Sequence, residues 1–164
     1  MILGMTTLTF VHVVLSLVGI VSGSVAVAGL MAARRLDGWT AVFLVSTALT
    51  SATGFFFPFH KLMPSHVLGV VSLIVLGLAT VAMYALRLAA SWRRTYVISV
   101  VIALYLNVFV LVAQLFQKVR ALKEIAPKES EPTFLVTQLF VLLTFVVLGI
   151  FATMRFRGGE TGTV

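Results

Sequence analysis

The chain has 164 residues, 60% of them hydrophobic and only 10% charged, with a mean hydropathy of +1.13 and a net charge of +7. Soluble domains carry about 25% Asp, Glu, Lys and Arg, so the composition excludes an ordinary soluble enzyme or binding domain. The absence of cysteine excludes disulfides, thiol catalysis and cysteine-ligated metals.

No Asp, Glu, Lys or Arg occurs in 1–33, 38–60, 62–86, 95–117 or 132–154. Each window exceeds the ~20 residues a helix needs to cross a ~30 Å hydrocarbon core. Backbone groups in lipid must be satisfied within the segment, which selects helices over open strands. The expected fold class is therefore all-α, a polytopic transmembrane helical bundle of five spans forming one domain over 1–157, with a Gly- and Thr-rich tail at 158–164.

In chain order, the first span is expected over about 6–33, with no basic segment ahead of it and an apolar run too long for a cleavable signal. The second covers about 39–57. The third covers about 65–90, with Pro64 suited to its first turn. The fourth covers about 95–119, and an amphipathic segment after it, from Lys118 to Ala126, is expected to prolong that helix along the interface as far as Pro127. The fifth follows Pro132, over about 133–154.

Arg34, Arg35, Arg87, Arg93, Arg94, Arg155 and Arg157 follow the first, third and fifth spans, and Trp39 and Trp92 stand beside them at interfacial positions. The positive-inside rule makes that side cytoplasmic, the N-terminus periplasmic and the C-terminus cytoplasmic. Anionic membrane lipids account for these arginines, and no nucleic-acid partner is expected.

An internal repeat is visible. "HVVLSLVGIVSGSVAVA" (12–28) aligns without gaps on "HVLGVVSLIVLGLATVA" (66–82), with seven identities in seventeen positions. The matched His12 and His66, and the matched Gly23 and Gly77, carry the signal. Two such helices would cross in the same direction, as in a parallel repeat.

The repeat places His12 and His66 at comparable depth near the outer face, with His60 in the connecting loop. Two neutral imidazoles on neighbouring helices are the arrangement for axial ligation of a haem iron. A flat macrocycle needs small residues beside it; Ser16, Gly19 and Gly23 supply them after His12. Gly69, Gly77, Thr80 and Tyr84 continue the stripe after His66. His60 is a weaker third metal ligand. The competing reading is structural: Gly19-xxx-Gly23 lets two membrane helices approach closely with nothing between them. Most arginines also lie at the opposite surface from the histidines, away from where haem propionates would need them.

A second polar set lies in the remaining spans. Thr47, Ser51 and Gly54 share a face of the second, and Asn107, Gln114 and Gln117 fall at helical spacing on the fourth, near Tyr105. The fifth adds Thr133, Thr137, Gln138 and Thr144. Thr47, Ser51, Asn107 and Gln114 form a candidate polar pocket for a quinone-like lipid; the alternative is interhelical hydrogen bonding. No span holds a carboxylate, which disfavours proton-driven transporters and cation channels. No phosphate-binding loop, zinc-protease motif or serine nucleophile elbow is present, so hydrolytic catalysis is not expected.

The sequence of "H-x-x-L-x-x-V" early in the first span, "RRLDGWTAVFLV", "TSATGFFFPF", "PSHVLGVVSL" and "LYLNVFVLVAQ" resembles a family of small inner-membrane proteins of proteobacteria over nearly the whole chain, a resemblance that brings no activity with it. Two histidines on alternate helices are also similar to small membrane b-type cytochromes, which implies His12 and His66 as haem ligands, although the further deep histidines of those proteins are missing here. Three functions remain open on the sequence. One is a haem-b or metal protein of a bacterial cytoplasmic membrane with a quinone partner. The second is a non-catalytic accessory or assembly subunit, as a homo-oligomer or within a larger complex. The third is a small-solute transporter or channel.

Overall fold

Thr6 adopts an extended conformation (φ −66°, ψ 152°), and its Oγ1 accepts the Thr9 N–H at 3.3 Å, the N-cap arrangement that satisfies an orphan donor at a helix start. In the computed structural model, which describes residues 6–56, 64–89 and 91–156 (the backbone alone for 64–66), this cap opens α1, Thr7–Met31. Ala33 takes a left-handed φ of 57°, and the Arg34 N–H reaches back to the Gly29 carbonyl at 2.8 Å. The chain thereby folds tightly over Gly29, where a Cβ would meet Leu36 at 2.9 Å. α2, Asp37–Gly54, follows with Asp37 in its first turn, where a carboxylate complements the helix dipole.

α3, Pro64–Thr80, passes into a single π turn, Val81–Ala85. Arg87 and Leu88 then both take left-handed conformations (φ 45° and 58°), with the Leu88 N–H on the Ala82 carbonyl at 3.0 Å. This turn puts Arg87 at the surface and Leu88 in the core, so the third helix ends several residues before the expected position near 90. α4 runs Trp92–Lys118 and stops at Val119, whose ψ of 116° breaks the helix. The segment after it is a separate short helix, α5, Arg120–Ile125, rather than the expected continuation of α4. Leu122 and Ala126 pack inward there, while Val119 and Ile125 stay exposed. α6, Pro132–Arg155, starts with proline in its first turn, where the missing N–H costs nothing.

Among the described residues there is no strand. Four helices among the described residues are long and apolar enough to cross a membrane: α1, the α3 segment from Val67 through its π turn to Ala85, α4 and α6. α2 does not meet that criterion.

α4 is central and packs on α1, α3 and α6, while α2 lies between α1 and α3. The main core joins Leu30, Phe43, Ala82, Tyr96, Val100 and Leu104, all nearly inaccessible. α4 and α6 run antiparallel, shown by three ring contacts. Tyr96 lies 6.4 Å from Phe156, Tyr105 5.7 Å from Phe145, and Phe116 5.5 Å from Phe134 in an edge-on T.

Candidate polar site between α1, α2 and α4

α1 and α2 pair antiparallel along a shared seam. At one end His12 faces Thr53 and Gly54; further along, Gly19 faces Ser46 and Thr47, and Gly23 faces Phe43. A Cβ on Gly23 would lie 2.7 Å from two ring carbons of Phe43 and 2.9 Å from Leu104, closer than real Cβ atoms come. A Cβ on Gly19 would lie 2.9 Å from the Thr47 hydroxyl and 3.4 Å from the Asn107 amide nitrogen. The small-residue face of α1 is thus filled by side chains of α2 and α4. Over the described residues, α1 and α3 share no substantial contact.

Thr47 and Asn107, two of the four expected pocket residues, do meet: Asn107 Nδ2 donates to Thr47 Oγ1 at 2.9 Å. Ser51 and Gln114 do not join them; Ser51 is half-buried on the flank of α2 and Gln114 is exposed. The buried face of α2 is instead Thr40, Phe43, Ser46, Thr47 and Thr50. Its hydroxyls are largely satisfied at home: Ser46 donates to the Val42 carbonyl at 2.7 Å and Thr50 to that of Ser46 at 2.9 Å. Ser22 of α1 does the same toward Val18, at 2.6 Å. Such back-bonding lets a hydroxyl sit in an apolar interior without an unpaired proton.

His12 stands about 8 Å into α1 from its start and is half-buried. Its Nδ1 lies 3.0 Å from Thr53 Oγ1, a hydroxyl that also has the Leu49 carbonyl at 2.8 Å and the Thr50 carbonyl at 3.0 Å within reach. The proton of the His12–Thr53 bond comes from Nδ1–H in one imidazole tautomer and from the Thr53 hydroxyl in the other. Ser16 donates to the His12 carbonyl at 2.9 Å, a bond internal to α1. Thr53 is a partner that sequence reading passed over, although it lies within the hydroxyl-rich run 46–54.

The other half of the expected haem site is placed differently. His60 and the His66 side chain lie outside the described residues. Gly69 packs on the Phe55 ring, whose nearest carbon would be 3.3 Å from an added Cβ, so it faces α2. Gly77 has nothing within 4 Å, Thr80 donates to its own helix at the Leu76 carbonyl, and Tyr84 is 56% exposed. These three turn outward from the bundle. Among the described residues no three His, Asp or Glu side chains cluster as a metal site.

Two polar contacts escaped sequence reading because they depend on distant helices meeting. Thr40 and Tyr96, both fully buried, share a 3.2 Å hydrogen bond linking α2 to α4. Gln138 of α6 is buried and donates from Nε2 to the Phe109 carbonyl at 3.1 Å, while its Oε1 has no partner among the described residues. Thr137 and Thr144 donate to their own helix, and Thr133 is exposed.

Fold and site together define a class: an all-helical bundle with four helices of membrane-spanning length and apolarity and an interior closed by glycine, hydroxyl and amide contacts. No protein-family model matches the chain, and no curated protein or solved structure is significantly similar to it.

Proposed function

We propose that the chain is a five-span integral membrane protein, with α2 as the additional crossing, and that it serves as a non-catalytic accessory or assembly subunit of a membrane complex. The observation that carries this reading is the direction in which α2 turns its side chains. Thr40, Ser46, Thr47 and Thr50 are buried, whereas Val42, Val45 and Leu49 are 46%, 59% and 47% exposed. Hydroxyls inward and aliphatics outward is what a lipid environment demands of a helix whose composition is only moderately apolar. Its 18 residues reach about 27 Å, close to the ~30 Å hydrocarbon core. Its seam with α1, from Thr53 beside His12 to Leu36 over Gly29, covers nearly the full depth of that helix.

The accessory role follows from where polar chemistry is spent. The interior hydroxyls and amides mostly engage one another or their own helices, and Phe43 and Leu104 occupy the glycine face. α6 buries only Phe134, Gln138 and Ala152. It presents Val136, Phe140, Leu143, Val147 and Phe151 outward at helical spacing, each at least half exposed. Arg34, Arg35, Arg87, Arg93, Arg94 and Arg155 gather at one end of the bundle, which supports a bacterial cytoplasmic membrane with that end inside. Gentle detergent extraction followed by size separation tests the role: a stable larger complex is expected, and a lone monodisperse chain would sink it.

The second reading keeps His12 and His66 as ligands to haem b or another metal, with a quinone-like partner. The half-buried place of His12 in the α1–α2 seam, with Nδ1 3.0 Å from Thr53 Oγ1, supports it. The filled faces of Gly19 and Gly23 weigh against a macrocycle beside α1. A Soret band abolished by His12→Ala would establish this reading, and its absence from haem-replete protein would end it.

A further inference from the structure

A groove of about 440 Å³ runs between α4 and α6, on the flank of α6 beside the exposed stripe just described, which it meets at Met154. Ile98, Val101 and Tyr105 line it from α4; Leu142, Gly149 and Met154 line it from α6. Its α6 wall covers 12 residue steps from Leu142 to Met154, about 18 Å of helix. One leaflet of the hydrocarbon core is about 15 Å deep, half of ~30 Å. Because α4 begins where α6 ends, with Tyr96 against Phe156, the groove lies in the half of the bundle that carries the arginines.

The charges continue the groove. Arg94 is one turn before Ile98 on the same stripe of α4, and Arg155 stands in the last turn of α6, level with the end of the groove and about 100° round the helix from Met154. Both are exposed, and neither belongs to an ion pair among the described residues. An almost wholly apolar trough, one leaflet long on its α6 wall, with Arg94 above its α4 wall and Arg155 at the same level on α6, matches a molecule with one long hydrocarbon chain below an anionic head. We infer that this groove binds an anionic phospholipid of the basic-side leaflet, one acyl chain lying between α4 and α6 and the phosphate meeting Arg94 and Arg155. Arginine suits this head because its planar fork donates two parallel hydrogen bonds to phosphate oxygens. The inference rests on the membrane reading above and is independent of the accessory role.

The test is native mass spectrometry of the purified full chain with equimolar phosphatidylglycerol and phosphatidylcholine bearing identical acyl chains. The wild type is expected to retain one phosphatidylglycerol in clear preference to phosphatidylcholine. Arg94→Gln with Arg155→Gln should reduce that preference roughly thirtyfold, at about fivefold per arginine near a membrane surface. Both positions lie at the ends of their helices, so the fold is not at stake. Gly149→Leu, which fills the trough but keeps the arginines, should abolish retention; Val146→Trp repeats the test if helicity is lost. Equal retention of the two lipids by the wild type, or a preference untouched by the arginine pair, would overturn the inference. So would a second copy of the chain, rather than lipid, released by Gly149→Leu. Failure of the membrane reading would show separately, as release of the chain from membranes by alkaline carbonate.

Discussion

Asn107 hydrogen-bonds Thr47, sixty positions earlier, at 2.9 Å, and the pair sits directly over the bare backbone of Gly19. One amide, one hydroxyl and one missing side chain thereby join the three helices that form the polar interior. A double-mutant cycle of Thr47→Val and Asn107→Leu, followed by unfolding in detergent, is expected to give a coupling of about 0.6–1.7 kcal/mol. Strictly additive effects would remove this bond from the account of stability.

Gly23 and Gly77, which align when segment 12–28 is laid on 66–82, should respond in opposite ways. Gly23→Ala forces a methyl group against the Phe43 ring, which is fully buried and has nowhere to go. Overpacking of this kind costs about 1–3 kcal/mol. Gly77→Ala meets nothing within 4 Å and should be neutral or stabilising by up to about 1 kcal/mol from helix propensity. Thermal midpoints of the two variants check this directly, and a similar loss at both positions would contradict it.

Gln138 is 7% exposed, with Nε2 bonded to the Phe109 carbonyl and Oε1 unpaired. The carbonyl partner requires a donor, which fixes the orientation of the amide. Because an unsatisfied buried acceptor costs about 1–3 kcal/mol, Gln138→Leu is expected to hold or raise the thermal midpoint. A clear drop would mean that Oε1 acquires a partner in the membrane.

The topology of α2 can be read from accessibility, since the chain has no cysteine and any introduced thiol is the sole target. With α2 as a crossing, Leu36→Cys and Phe56→Cys, placed just before and just after it, should label from opposite sides of a sealed vesicle. Labelling of both from one side would reduce the bundle to its four apolar spans.

Much of the architecture was legible in the sequence because lipid leaves a helix few choices. Charge-free windows of more than twenty residues predicted α1, α2, α3, α4 and α6 as helices, and their described bounds differ from the expected ones mainly at turns. The end of α3 was not legible: Arg87 and Leu88 adopt left-handed conformations that neither residue type announces, so that Leu88 can enter the core. The break at Val119 is similar, a change of one ψ angle within a segment whose periodicity continues across it.

For the site, the sequence by itself determined which residues were polar or small within the spans: His12, Gly19, Gly23, Thr47 and Asn107 all belong to the interior seam. Tertiary structure alone decided what they face. Helical spacing fixes which residues share a stripe, but the rotation of that stripe toward a neighbour is set by side chains contributed from elsewhere, here Phe43, Leu104 and Thr53. Gly23 and Gly77 occupy the same place in two similar segments, yet one is covered by an aromatic ring and the other faces open space. The physical reason is that packing is a property of pairs of helices, and a sequence stripe carries only one member of each pair.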